Sequence, residues 1–278
     1  MILFPNAKIN LGLDIISKRP DGYHNISTVM IPIDWHDILE IVPAKGESTT
    51  LTCYGHAIDC PPEKNLVMKA YNALANITGG LPAADIYLEK IVPDGAGLGG
   101  GSADAAYTLI GLNEVFNLGL SKEQLAQTAA LIGADCPFFI YSRPAYCSGT
   151  GTEISFDVAP HLTPYSILVA KPRVAGVSTA QAYAGVTPRQ PLHDIRQTIS
   201  LSPEKWQGLL KNDFEQSVFA QIPRSSELKN EMLEGGAVYA SMSGSGSAVY
   251  GIFANDKMAQ AVAERLTDCD THISSGCN

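Results

Sequence analysis

Runs of one charge sign are missing from this 278-residue chain: 19 basic residues stand against 28 acidic ones, giving a net charge of −9. That balance, without any cluster of lysines or arginines, argues against nucleic acid or an anionic membrane as the main partner. No uninterrupted apolar run reaches the roughly 18 residues of a membrane-spanning helix. The opening Met1-Ile-Leu-Phe-Pro-Asn-Ala-Lys8 lacks the basic start and long apolar stretch of an export signal. Cys53, Cys60, Cys136, Cys147, Cys269 and Cys277 form no Cys-x-x-Cys and no pairing with histidine at zinc spacing, so reduced thiols are expected. Internal repeats and low-complexity linkers are missing too. A cytoplasmic protein without nucleic-acid or membrane partners is predicted. With 45% hydrophobic residues it can bury a sizeable core, arranged as two small domains around a cleft.

What is present in excess is glycine, in one place. Ile91-Val-Pro-Asp-Gly-Ala-Gly-Leu-Gly-Gly-Gly-Ser-Ala-Asp-Ala-Ala106 sets Gly95, Gly97, Gly99, Gly100 and Gly101 directly before a helix-forming alanine run. Such residues expose backbone N–H groups without Cβ obstruction, and a helix starting near Ser102 aims its positive end into the same space. The loop is a candidate anion cradle at a strand-to-helix junction, because Ala84 to Val92 is rich in β-formers. Gly95 to Gly100 also satisfies G-x-G-x-x-G, but a dinucleotide fold needs a second strand closed by an acidic residue about 20 positions on. That strand is missing: two helical patterns follow, the second opened by the capping box Ser121-Lys-Glu-Gln124. No Gly-Lys-Ser/Thr follows, which removes the Walker A reading as well.

Short strands are predicted at Ile9 to Ile16, Ser27 to Ile33, Ile38 to Val42 and Thr49 to Tyr54, then a helix over Asn65 to Asn76. Beyond Asp135 the chain reads as β at Pro137 to Ser142, Glu153 to Asp157 and Tyr165 to Lys171. Helices are expected at Ser178 to Tyr183, Glu204 to Leu210, around Asn212 to Phe219, and as a closing element over Met258 to Leu266. Ala237 to Ser241 and Ser247 to Phe253 read as strands. Elements grouped in blocks indicate an α+β fold, divided into residues 1–150 and 151–278.

Three more segments carry chemistry. In Pro5-Asn-Ala-Lys-Ile-Asn-Leu-Gly-Leu-Asp14 the alternation of a strand puts Lys8, Asn10, Gly12 and Asp14 on one face and Ala7, Ile9, Leu11 and Leu13 on the other. The polar face is either an ordinary solvated one or part of a site. The run ends in Arg19-Pro-Asp-Gly-Tyr-His24, a turn presenting an aromatic face and an imidazole. In Gly133-Ala-Asp-Cys-Pro-Phe-Phe139 the single carboxylate of Asp135 sits among apolar neighbours at a helix end, with Lys8 as a candidate partner. Finally, Ser243-Gly-Ser-Gly-Ser247 joins two strands as a small, hydroxyl-bearing loop, either a plain hairpin turn or a second wall of a phosphate site.

The ordered set of Pro5-x-Ala-Lys-x-Asn10, the Pro93-x-x-x-Gly-Leu-Gly-Gly-Gly-Ser102 loop and the late Ser243-Gly-Ser-Gly246 loop resembles the GHMP kinases, named for galactokinase, homoserine, mevalonate and phosphomevalonate kinases. Arg19 to His24 and Gly133 to Phe138 point within that family to the branch acting on a small molecule that carries cytidine diphosphate, in non-mevalonate isoprenoid precursor synthesis. The resemblance implies a two-domain fold with the active site in the cleft between an N-terminal nucleotide-binding domain and a C-terminal domain. It implies ATP held by Pro93, Gly95, Gly97, Leu98, Gly99, Gly100, Gly101 and Ser102, with Asn65 and Lys90 near the adenosine. Mg²⁺ would lie between phosphate oxygens with Ser102 as a ligand. Asp135 would accept the proton of the attacking hydroxyl, and Lys8 would hold that carboxylate and hydroxyl in place. Tyr23, His24 and Tyr183 would seat the cytosine, and Asn10, Ser243 and Gly244 would contact substrate. The chain is expected to act as a monomer or weak dimer.

Three other readings share parts of this pattern. A homoserine or mevalonate kinase has no base to stack on Tyr23 and His24, an NAD-dependent oxidoreductase rests on the G-x-G-x-x-G string alone, and a silent nucleotide binder has no use for Lys8 and Asp135.

Overall fold

A computed structural model describes residues 1–57, 60–173 and 176–276. In chain order the elements are β1 (Ile2–Leu3), β2 (Asn6–Lys18), β3 (His24–His36), β4 (Ile38–Pro43), β5 (Thr50–Gly55), α1 (Leu66–Thr78), β6 (Ala84–Lys90), α2 (Gly100–Val115), α3 (Lys122–Ala130) and α4 (Cys136–Tyr141). There follow β7 (Ala145–Gly149), β8 (Glu153–Ser155), β9 (Ser166–Pro172), α5 (Thr179–Ala184), α6 (Ile195–Ile199), α7 (Glu215–Gln221), α8 (Pro223–Glu234), β10 (Tyr239–Met242), β11 (Val249–Phe253), α9 (Asp256–Ala263) and β12 (Cys269–Ser275). Among the described residues three four-stranded sheets have the orders β1-β4-β6-β5, β2-β3-β7-β8 and β10-β11-β9-β12.

The chain divides into two compact units that interleave along the sequence, where a linear division at residue 150 was expected. The first holds Met1–Ala7, Trp35–Asp94 and Gly99–Ser142; the second holds Lys8–Asp34, Gly95–Leu98 and Arg143–Asn278. The interleaving has a pairing cause. β2 and β3 form one sheet with β7 and β8, so the N-terminal strands belong with residues beyond 143.

In the first unit β4 pairs antiparallel with β6 and β6 pairs parallel with β5. The alternation of β6 puts Ala84, Ile86, Leu88 and Lys90 on its buried face. α2 packs against β4, α1, α3 and α4 and is buried nearly all round, through Ala103, Ala105, Ala106, Leu109 and Leu112. Gly111 makes this approach possible, since a Cβ there would meet Ile41 Cδ1 at 2.7 Å and Leu3 Cδ1 at 2.6 Å. Asn6 ties the same unit together, its Oδ1 accepting from Tyr107 Oη at 2.8 Å and Ser142 Oγ at 2.6 Å. The capping box at Ser121 and Gln124 forms as the sequence predicts.

In the second unit β9 lies between β11 and β12, both antiparallel, with α8 and α9 packed on the sheet. Its core joins Leu13, Ile15 and Ile26 to Leu168, Met232, Val249 and Phe253.

Several expectations from sequence are corrected here. Pro137 to Ser142 reads as β because it is aromatic and apolar, yet it forms α4: Pro137 lies in the first turn, and an all-round apolar segment suits a buried helix packed on α2 and α3. Glu204 to Leu210 is not a helix but a single 3₁₀ turn at Pro203–Lys205 followed by an isolated bridge. β7, α6, α8 and β12 were not expected. α8 has a legible signature in retrospect, because Ser225, Leu228 and Met232 are buried at helical spacing behind Pro223. β12 takes up most of the tail after α9, so α9 does not close the fold.

Candidate active site

The first unit supplies a helix start and a carboxylate. Gly99 stands at the N-cap of α2 in the left-handed region (φ 73°) and offers no side chain to the first N–H groups of the helix. Those donors and the positive end of the 16-residue helix point toward the glycine loop. Ser102, in the first turn, lies near the thiol of Cys136 and partly offsets the burial that pushes that thiol up to about 12. This proximity brings Asp135, the neighbour of Cys136, to the same end of α2. Asp135 precedes α4 with helical backbone angles (φ −82°, ψ −17°), and its half-buried carboxylate makes no capping bond.

The second unit supplies a cation and a clamped loop. All of β2 from Asn6 to Leu13 is buried, so the Lys8 face is not a solvated one: Lys8 is 2% exposed and Asn10 1%. Lys8 Nζ donates to Asn10 Oδ1 at 2.6 Å and to the carbonyl of Gly97 at 2.9 Å. Ser243 Oγ donates to the same Gly97 carbonyl at 2.9 Å. The middle of the glycine loop is stitched down by backbone as well, through Lys8 N to Leu98 O and Ala248 N to Ala96 O. Gly97 has no alternative: its φ is +74°, and a Cβ would stand 2.0 Å from the Ser243 carbonyl oxygen. A Cβ on Gly244 would in turn meet Gly97 O at 2.9 Å and Lys8 Nζ at 3.2 Å. Asn212 holds the hairpin loop from behind, donating to Met242 O and Gly244 O at 2.8 Å each while its Oδ1 accepts from Phe214 N. Asn10 is fixed twice more, by Thr28 Oγ1 and by Tyr250 Oη on its carbonyl.

The aromatic set lies in this unit too. Arg19 to Tyr23 closes a turn, and Tyr23 remains 64% exposed at its end. His24 stacks on Tyr183 with centroids 4.6 Å apart at 19°, and Tyr183 meets Phe214 edge-on. Burial, with Lys18 nearby, holds the His24 imidazole below its ordinary range, so at neutral pH one ring nitrogen donates and the other accepts. The His24 and Tyr183 rings are thus in direct contact with each other.

At the far end of the Lys8 face, Asp14 faces Asp213, whose carboxylate accepts from Ile15 N at 2.9 Å and Arg189 Nη2 at 3.1 Å. Burial first, then the Asp213 charge, push Asp14 up to about 7 against the opposing pull of Arg189. A carboxyl raised in the folded state gives stability that is complete below its unfolded value of 3.8 and is lost as pH rises through 7. Asp14→Asn is therefore expected to match the parent protein below pH 3.8 and to exceed it above pH 7. Solvent reaching this half-buried group screens the penalty, leaving about 1–2 kcal/mol. Urea unfolding at the two ends of that pH range checks this, and equal stabilities at the alkaline end would refute it.

Two residues predicted near adenosine have internal roles. Asn65 caps α1, its Oδ1 accepting from Val67 N at 2.9 Å. Lys90 is 4% exposed and paired with Asp37 and Asp104. Pro93 is buried and Gly95 exposed at the loop's start. Asp37, Asp104, Thr28 and Asn212 carry no local sequence signal, because each acts on a partner at least 14 positions away.

Residues 65–143 match the family model described as GHMP kinases N terminal domain, and residues 192–270 match GHMP kinases C terminal. The chain is 49% identical over 253 residues to the 4-diphosphocytidyl-2-C-methyl-D-erythritol kinase of Parabacteroides distasonis, covering 91% of this chain and 92% of that one. It is 50% identical over 255 residues to the enzyme of the same name from Bacteroides thetaiotaomicron, with 91% and 92% covered. Among solved structures, a 4-(cytidine 5'-diphospho)-2C-methyl-D-erythritol kinase superposes with a TM-score of 0.79 at 29% identity, over 100% of both chains.

Proposed function

The chain belongs to the GHMP kinase family, and on that premise we propose that it is an ATP-dependent kinase phosphorylating the 2-hydroxyl of 4-diphosphocytidyl-2-C-methyl-D-erythritol in non-mevalonate isoprenoid precursor synthesis. One observation carries most weight: the buried ammonium of Lys8 sits on the carbonyl of Gly97, in the middle of the glycine loop. A positive charge held at a loop of open N–H groups is what a transferring phosphoryl group requires, since its transfer depends on positioning and charge stabilisation.

In this reading the substrate hydroxyl oxygen attacks the γ-phosphorus of ATP, the bond to the β-phosphate oxygen breaks, and ADP leaves. Asp135 takes the hydroxyl proton. The N–H groups at the start of α2 and of residues 95–101 hold the phosphates, while Lys8 stabilises charge on the transferring group. Asn10, Ser243 and Gly244 face the acceptor, and Tyr23, with His24 and Tyr183, receives the cytosine. Among the described residues no three His, Cys, Asp or Glu side chains gather to hold a metal. In this reading Mg²⁺ is carried mainly by phosphate oxygens, with the Ser102 hydroxyl as a protein ligand. Bound there, Mg²⁺ would neutralise phosphate charge. A cytoplasmic location and a monomeric or weakly dimeric state belong to the same proposal; no helix among the described residues is long and apolar enough to cross a membrane.

ADP release is the direct test, measured with ATP, Mg²⁺ and the cytidine diphosphate substrate, with mevalonate and homoserine as controls. Turnover on the first alone is expected, and turnover confined to a control would move the chain to another branch of the family.

A further inference from the structure

Beneath the glycine loop lies a buried ionic cluster that the phosphoryl-transfer scheme does not use. Lys90 ends β6, Asp37 sits between β3 and β4, and Asp104 lies in α2; none is more than 4% exposed. Lys90 Nζ donates to Asp37 Oδ2 and, at 2.8 Å, to Asp104 Oδ2. The other oxygen of Asp37 accepts from the backbone N–H groups of Ile91 at 2.6 Å and Val92 at 2.8 Å, the first residues of the loop. At the loop's other end the same ammonium lies under Gly100, where a Cβ would come within 3.2 Å of it. Asp37 is itself anchored, its N–H donating to Pro5 O at 2.9 Å. One cluster thus grips the segment entering the glycine loop and the helix leaving it.

We propose that Asp37, Lys90 and Asp104 are positioning residues that staple the two ends of the glycine loop and so set the affinity for ATP without touching the nucleotide. Stability alone is a poor account of such a cluster. Burying two carboxylates and an ammonium carries a large desolvation penalty, and well-packed apolar side chains of similar volume often serve a fold as well or better. Asp104 Oδ1 has no protein partner, so the arrangement is not optimised as a set of hydrogen bonds either. What the cluster does fix is direction: the path of Ile91 and Val92, and the place of the first turn of α2.

The inference rests on reading residues 93–102 as the ATP phosphate loop, and kinetics separate the two. ATP is varied at saturating acceptor in the parent enzyme, Lys90→Met, Lys90→Arg and Asp104→Asn. For Lys90→Met the expected result is a KM for ATP raised about tenfold or more, with kcat within about threefold and the acceptor KM unchanged. Lys90→Arg, whose guanidinium can bridge both carboxylates, should recover most of that loss. Asp104→Asn keeps the volume and leaves the Lys90–Asp37 pair in place, so it remains folded even where Lys90→Met does not; its KM for ATP should rise about three- to fivefold at an undiminished melting temperature. Folded Asp104→Asn with the parental KM for ATP, or KM values for both substrates rising together, would overturn the staple. Absence of ATP-dependent turnover in the parent enzyme would instead sink the reading of the loop.

Discussion

Asp135→Asn is expected to lower kcat by about a thousandfold while leaving ATP affinity within about threefold, the loss that removal of a general base produces. The substitution keeps shape and removes the ability to accept a proton. It leaves the start of α4 as it is, because the Asp135 carboxylate makes no cap on that helix. Turnover is read as ADP release and ATP affinity by calorimetry. A variant retaining a tenth of the parental kcat would show that another group, or water, takes the proton.

Gly97→Ala has the second large expected effect, and Gly95→Ala is its control. Both glycines have positive φ, +74° and +61°, so both variants carry the same class of backbone strain, about 1 kcal/mol. They differ in surroundings: nothing lies within 4 Å of a Cβ at Gly95, whereas one at Gly97 would be 2.0 Å from the Ser243 carbonyl oxygen. Relief requires the 243–247 loop to move, and Asn212 holds that loop at Met242 and Gly244. Moving Gly97 instead removes the carbonyl on which both Lys8 and Ser243 converge. The expected outcome for Gly97→Ala is a loss of about 2–4 kcal/mol in stability and at least about a hundredfold in kcat/KM. In melting temperature Gly95→Ala should stay near the strain cost alone. Melting curves on the pair, with steady-state kinetics on Gly97→Ala, decide it, and equal loss of stability in the two variants would mean that the 97–243 contact is not a constraint.

The parts legible in sequence are those whose cause is local. Alternation put Lys8, Asn10, Gly12 and Asp14 on one face of a strand, the Ser121 and Gln124 spacing announced a cap, and five glycines marked the junction before α2. Asp37 and Asn212 were invisible for the opposite reason: each is an ordinary polar residue in its own neighbourhood and acquires its role from a partner dozens of positions away. Lys90 was picked out by resemblance as a nucleotide contact, and only the tertiary structure sets its ammonium between two carboxylates. α4 was misread because an apolar aromatic stretch fits a buried strand and a buried helix equally until its neighbours are known.

The interleaving of the two units has a consequence for how the chain is made. β2 and β3 are synthesised before β9 and β11, yet Leu13, Ile15 and Ile26 are buried in one core with Leu168, Val249 and Phe253. During synthesis these strands must therefore wait, apolar and incompletely covered, until β11 has emerged. Such long-range closure slows folding and leaves β2 and β3 open to association with other unfinished chains in the meantime.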